Sequence, residues 1–301
     1  MANLSIQEVL NNRNSYNLAL PFVETHQINP FYKMSVSPLY VDVSEHASQI
    51  YKVGSKNMNG KWIDLFSLTK PFLNKLATEA GVQFAPNAGD VVKVDDNTWK
   101  ASAFGAIRLP DGTVRTSNNF KIIDLVTEEK KYRLAYEEKA ANGISEFKAA
   151  EEAAKKYVGN WSDTGRKNEK GYPIRTYVIS EQDRGRYIEN SLLDAMTQLR
   201  ANAPQKAATG AILRVIRDLL GIKGTYTMEE LKKPFVVART SFSPDYNDPA
   251  VRQMLLQQAM QSVGNLFGNV QPVVQTISIP PMEMDDEFDV PAEANRIVSG
   301  R

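Results

Sequence analysis

Between Asn190 and Arg239 the chain reads NSLLDAMTQLRANAPQKAATGAILRVIRDLLGIKGTYTMEELKKPFVVAR, and this stretch limits the possible folds more than any other. Placed on a helix at about 100° per residue, Lys206 to Leu220 gathers Ile212, Val215, Ile216, Leu219 and Leu220 on one side. Lys206, Gly210, Arg214 and Arg217 fall on the other. One side is expected to be core, the other a cationic stripe. Ala203, Ala207 and Gly210 surround the charges, so a polyanion would approach the backbone closely. The same periodicity also describes an ordinary amphipathic helix with solvated arginines. Gly221 is placed to end the helix, and Thr225 or Thr227 to cap the following TMEEL segment.

The remainder of the chain supplies the context. Formal net charge is +1, but it is unevenly spread. Residues 160–240 hold 14 Lys and Arg against 9 Asp and Glu, net +5, whereas residues 241–301 hold 3 against 8, net −5. A basic middle and an acidic end fit a polyanionic partner better than the total suggests. With 301 residues and 42% hydrophobic content, a substantial core is expected. Cysteine is absent, which removes disulfides, thiolate metal sites and thiol nucleophiles and suits a reducing compartment. No signal-peptide pattern and no run of membrane-spanning length is seen, so the expectation is a soluble protein of a cytoplasm, with no membrane partner.

The first 35 residues read as an arm, with a short helix around Ser5 to Asn11 and interruptions near Pro21 and Pro30. Residues 36–66 read as strands (VSPLYVDVS, QIYKVG, KWIDLFSL), the last two forming a hairpin. GSKNMNGK, Gly54 to Lys61, is one residue too long for a phosphate-binding loop and is followed by Trp62 instead of Ser or Thr, which excludes that chemistry. A helix from Thr69 to Ala80 follows, with Pro71 in its first turn, Phe72, Leu76, Ala77 and Ala80 on one face, and Gly81 at its end. Lys70, Asn74 and Lys75 lie on its exposed side. Strands then resume (VVKVDD, TWKASAFGAIRL, TVRTSNNFKIIDL) around a Pro110–Asp111–Gly112 turn, and Arg108, Arg115 and Lys121 are candidates for contacts to a nucleic-acid backbone.

Residues 127–158 read as one helix or as two broken near Asn142 and Gly143. The Glu-x-Lys triplets at Glu128 and Glu137 lack the strand and upstream aspartate of a nuclease motif, and count as surface charge. His26 and His46, the only histidines, have no companion at ligand spacing. Residues 159–180 read as a polar loop bearing Trp161, Arg166, Lys167, Lys170, Tyr172 and Arg175. Rings interleaved with cations suit single-stranded nucleic acid, with stacking worth about 1–3 kcal/mol per base. Equally, Trp161 and Tyr172 suit a loop pinned to the core. A helix from Glu181 to Leu199 carries Arg184 and Arg186. Residues 241–270 read as a turn and an amphipathic helix, and 271–301 as a disordered acidic tail.

SLTKPFLNKLATEAGVQF and AATGAILRVIRDLLGIKGTYTMEELKKPFVV resemble the phage single-strand annealing proteins, the broad group containing RecT and Red beta. The likeness spans about residues 36–240, here the expected DNA-binding core. It implies an α+β fold, with antiparallel sheet and hairpins packed on helices and a helical C-terminal half. It also implies ATP-independent binding and annealing of single-stranded DNA in phage recombination, by rings or helical filaments, with no catalytic residue, cofactor or metal. Phosphates would be neutralised by Lys206, Arg214, Arg217, Lys223, Lys232 and Lys233, with Arg184, Arg186 and the 161–175 segment adding contacts. The MDDEFDVP segment resembles the acidic tails by which single-stranded-DNA-binding proteins recruit partners; a phage exonuclease or host single-stranded-DNA-binding protein would be the partner here, in the host cytoplasm. The competing classes are a phage assembly protein that oligomerises without DNA and, behind it, a metal-dependent nuclease.

Overall fold

The computed structural model describes residues 5–19, 30–44, 47–58, 60–167, 173–249, 251–257 and 276–278. His26, His46, Lys170 and Tyr172 lie outside them, as does the acidic tail apart from residues 276–278. The chain forms an α+β fold of small, mostly antiparallel sheets and one long helix, which packs on the largest sheet.

Helix α1 (Ile6–Asn11) is held at its start by a capping box between Ser5 and Glu8. Strand β1 (Asn17–Ala19) follows, then β2 (Tyr32–Leu39). Residues 5–19 of the stretch read as an arm are thus packed in: Val9 is buried against Val36 and Val236, with Leu18 alongside. Strands β3 (Ile50–Met58) and β4 (Lys61–Leu68) make the expected hairpin, closed beside Gly60, whose φ of 80° favours a residue without Cβ. Helix α2 (Lys70–Ala80) has Pro71 in its first turn and ends at a left-handed Gly81. It buries Phe72, Leu73 and Leu76, each worth about 1.5–3 kcal/mol on removal from water.

The main sheet is built by β5 (Gln83–Phe84), β6 (Asp90–Lys93), β7 (Thr98–Arg108) and β8 (Val114–Asp124), with β5 and β6 both pairing β7. Helices α3 (Leu125–Asn142) and α4 (Phe147–Lys156) are separated at Gly143, which decides between the one helix and the two that the sequence allowed. Asp124 caps α3 by accepting from the Val126 N–H at 3.0 Å.

Of the segment read as a loop, residues 159–167 and 173–179 are strands. These strands, β9 (Gly159–Lys167) and β10 (Pro173–Ile179), pair antiparallel, with Trp161 opposite Tyr177. Helix α5 (Glu181–Leu220) then runs 40 residues without a break, so the two helices expected here are one. It passes through Pro204, which removes the bond to the carbonyl of Arg200. Burial of Leu199, Ala203 and Ala207 around that point holds the helix together. Gly221 ends it, and α6 (Met228–Leu231), which follows β11 (Tyr226–Thr227), is capped by Thr227 and Glu230.

Strand β12 (Phe235–Phe242) closes the β1–β12–β2 sheet, antiparallel to β2 and parallel to β1. Phe235 packs edge-on to Phe72 and Tyr226, each with centroids 5.4 Å apart. Residues 251–257 are helical, and β13 (Thr276–Ser278) pairs in parallel with β8 at Val114–Thr116.

Candidate nucleic-acid interface

The second half of α5 is wedged so closely that small residues are required on both sides. Ala203, Ala207 and Ala211 are fully buried, so they serve packing toward the core. Across from them β7 contributes Ala101, Ala103 and Gly105, also buried. A Cβ at Gly105 would stand 2.7 Å from Val215 Cγ1 and 3.3 Å from Leu219 Cδ1. That close approach fixes which part of α5 remains outside the sheet.

The expected cationic stripe is there, but it is the floor of a trough instead of an open ridge. Lys206, Gly210, Arg214 and Arg217 are all half-buried. On one side Lys70 of α2 donates to Thr209 Oγ1 at 3.4 Å. On the other, a Cβ at Gly210 would stand 2.9 Å from Lys121 Cγ of β8. Thr209 and Gly210 are consecutive, yet they meet opposite walls. The arginines tie the floor to those walls: Arg214 Nη1 donates to the Phe120 carbonyl at 2.6 Å. Arg217 Nη2 reaches Ser67 Oγ at 3.3 Å and the Leu68 carbonyl at 3.4 Å. Five cations, Lys70, Lys121, Lys206, Arg214 and Arg217, therefore lie on or beside one strip of α5 between α2 and β8.

Arg115 does not join them at the surface. It is half-buried and donates through Nη2 to the Asp218 carbonyl at 2.9 Å. Burial pushes its guanidinium pKa below the ordinary value, and the charge of Asp218 opposes that shift. Asp218 also accepts hydrogen bonds from Ser117 Oγ and, at 3.5 Å, from Asn119 Nδ2.

The other expected residues are scattered. Lys223 pairs with Glu230 at 2.8 Å, and Lys233 donates to the Asn14 carbonyl at 2.9 Å; Lys232 is exposed on the same corner. Burial alone would raise the Glu230 carboxyl, but the bonds from Lys223 and Thr227 hold it below the ordinary value. Arg186 donates to the Lys156 carbonyl at 2.8 Å and to Asp183 at 3.1 Å, and lies over the Tyr157 ring. Arg184 is half-buried near the start of α5. Trp161 packs on Tyr177 and Phe147 at 5.3 and 6.4 Å while staying 42% exposed. Arg175 is exposed on β10, and Arg166 and Lys167 belong to β9.

The sequence reading passed over the outer face of the main sheet. β8 turns Arg115, Ser117, Asn119 and Lys121 toward α5, which leaves Phe120 and Ile122 facing outward at 47% and 46% exposure. β7 places Lys100, Ser102, Phe104 and Arg108 on that same face. Two-residue alternation was visible in both strands; what would have singled out this face was the pairing of rings with Lys and Arg on one side.

Among the described residues no three His, Cys, Asp or Glu side chains are grouped to hold a metal ion, and no helix is long and apolar enough to cross a membrane. The chain matches no family model, no curated protein and no solved structure.

Proposed function

We propose that the protein binds single-stranded DNA and promotes ATP-independent annealing of complementary strands, acting as a homo-oligomer in phage recombination. The trough carries this reading. Its five bordering cations come from three elements, α2, β8 and α5, and Arg217 hydrogen-bonds to neutral oxygens, so its charge remains available to a phosphate. A backbone lying along α5 would meet Lys206, Arg214 and Arg217 in succession, each within a turn or two of the next. The likeness of residues 36–240 to the RecT and Red beta group supports the same conclusion. Lys223, Lys232 and Lys233 lie on a separate corner and would add contacts outside the trough.

The experiment is binding of a fluorescent oligothymidylate across a salt series. Tight binding that weakens steeply with salt is expected, because each neutralised phosphate in a single strand contributes a slope of about −0.7. Replacing both Lys70 and Lys206 by Gln should flatten the slope by about 1.4 while leaving the fold intact. The wild-type protein should also anneal complementary oligonucleotides without ATP. Absence of binding at low salt would remove the reading and favour an assembly protein.

A further inference from the structure

The outer face of the β6–β7–β8 sheet is a second surface whose chemistry differs from that of the trough. Strand register places Phe104 opposite Asn118 and Ser102 opposite Phe120. Each ring therefore has a small polar side chain directly across from it, and the two rings are diagonal neighbours, about 7–8 Å apart. Lys100 extends over the Phe120 ring at 5.1 Å, and Ile122 and Val92 flank Lys100 on either side in the register. At the far end of β7, Arg108 lies over the Tyr32 ring at 5.4 Å. Phe104, Phe120 and Val92 are 42%, 47% and 62% exposed.

An apolar protein partner would be poorly matched by this checkerboard, because its core would bury Ser102, Asn118 and Lys100 without partners. A nucleobase fits it better. Each base offers a π face to a ring and hydrogen-bonding edges to a neighbouring hydroxyl or amide, while its phosphate attracts Lys100 or Arg108. Asp90, opposite Ser102, is the one carboxylate of β6 on this face and marks the edge where phosphates would be disfavoured.

We propose that this face is a stacking platform for the bases of single-stranded DNA, distinct from the phosphate-binding trough on the other side of the sheet. The inference rests on the single-stranded-DNA reading above. The two surfaces meet at β8, where Phe120 faces outward while its carbonyl receives Arg214 and the next residue, Lys121, lies against α5. A DNA-binding protein with these two faces can hold phosphates on one and present bases on the other.

The test uses the full chain and oligothymidylate substituted with iododeoxyuridine, irradiated and mapped by mass spectrometry. Adducts at Phe104 or Phe120 are expected. A Phe104→Leu, Phe120→Leu double variant, which keeps apolar side chains but removes the rings, should bind at least about fivefold more weakly with an unchanged salt slope. The slope separates this effect from trough variants, which flatten it. Wild-type binding with adducts confined elsewhere and unaltered affinity in the double variant would overturn the platform alone. So would a change in sedimentation of the DNA-free variant with DNA affinity preserved, which would mark the face as a contact between copies. Failure of the wild-type protein to bind would overturn both readings together.

Discussion

Asp218 is the residue on which the polar side of β8 depends. Its carboxylate accepts from Ser117 and Asn119, and its main-chain carbonyl accepts from the half-buried Arg115. Arg115 Nε is itself buried with no hydrogen-bond partner among the described residues, so the local balance of charge is narrow. Asp218→Ala would leave the buried Ser117 hydroxyl without its acceptor, although Asn119 Nδ2 still donates to Ser117 Oγ at 3.2 Å, and would strip a desolvated guanidinium of its neighbouring negative charge. The expected loss is about 2–3 kcal/mol, read as a lower urea midpoint with an unchanged slope. Asp218→Asn retains an acceptor and should lose less. Equal stability of the alanine variant and the wild type would mean that this network is solvated. From sequence Asp218 is one charge on an amphipathic helix; its partners lie about a hundred positions earlier, beyond any local pattern.

At the scale of elements, the packing of α5 on β7 depends on what is missing at Gly105. A methyl group there would press on Val215, a stiff β-branched side chain that is itself fully buried. Gly105→Ala should therefore destabilise by about 1–3 kcal/mol, the usual penalty for overpacking, measured by thermal or urea unfolding. An unchanged melting temperature would show that α5 can move off the sheet. Elements with strong local signals were legible: α2 carries Pro71 and Gly81, and β7 and β8 flank a Pro-Asp-Gly turn. The β9–β10 pair was not, because residues 160–165 of β9 are exposed on both faces and carry one large apolar side chain, Trp161, so no apolar alternation marks the strand. Pro204 lies between the two helices expected from sequence, and packing carries α5 through it. Period-two alternation in β8 separates its residues into two faces but does not say which face meets α5; the structure turns Phe120 and Ile122 outward. The stripe on α5 was legible as a stripe, whereas its walls, Lys70 and Lys121, required tertiary structure.

For the whole molecule, the trough exists only when distant parts of the chain are assembled. Its floor is α5, one wall begins at Lys70 and the other lies at Lys121, and α5 itself is about 60 Å long, with α3 packed on it as well as the sheet and α2. Separate pieces would present isolated charges, not a continuous path for a phosphate backbone. Binding and global folding should accordingly be linked. A ligand that binds only the folded state stabilises it by RT ln(1 + [L]/Kd), about 2.7 kcal/mol at a free concentration one hundred times Kd. Oligothymidylate at that excess should raise the urea midpoint to match, followed through the fluorescence of Trp62, Trp99 and Trp161, which lie in three separate sheets. The increment should shrink as salt rises, since the phosphate contacts weaken while the fold persists. If oligothymidylate binds yet leaves the midpoint unmoved, its contacts lie on segments that retain them after unfolding, and the assembled trough is not the binding surface.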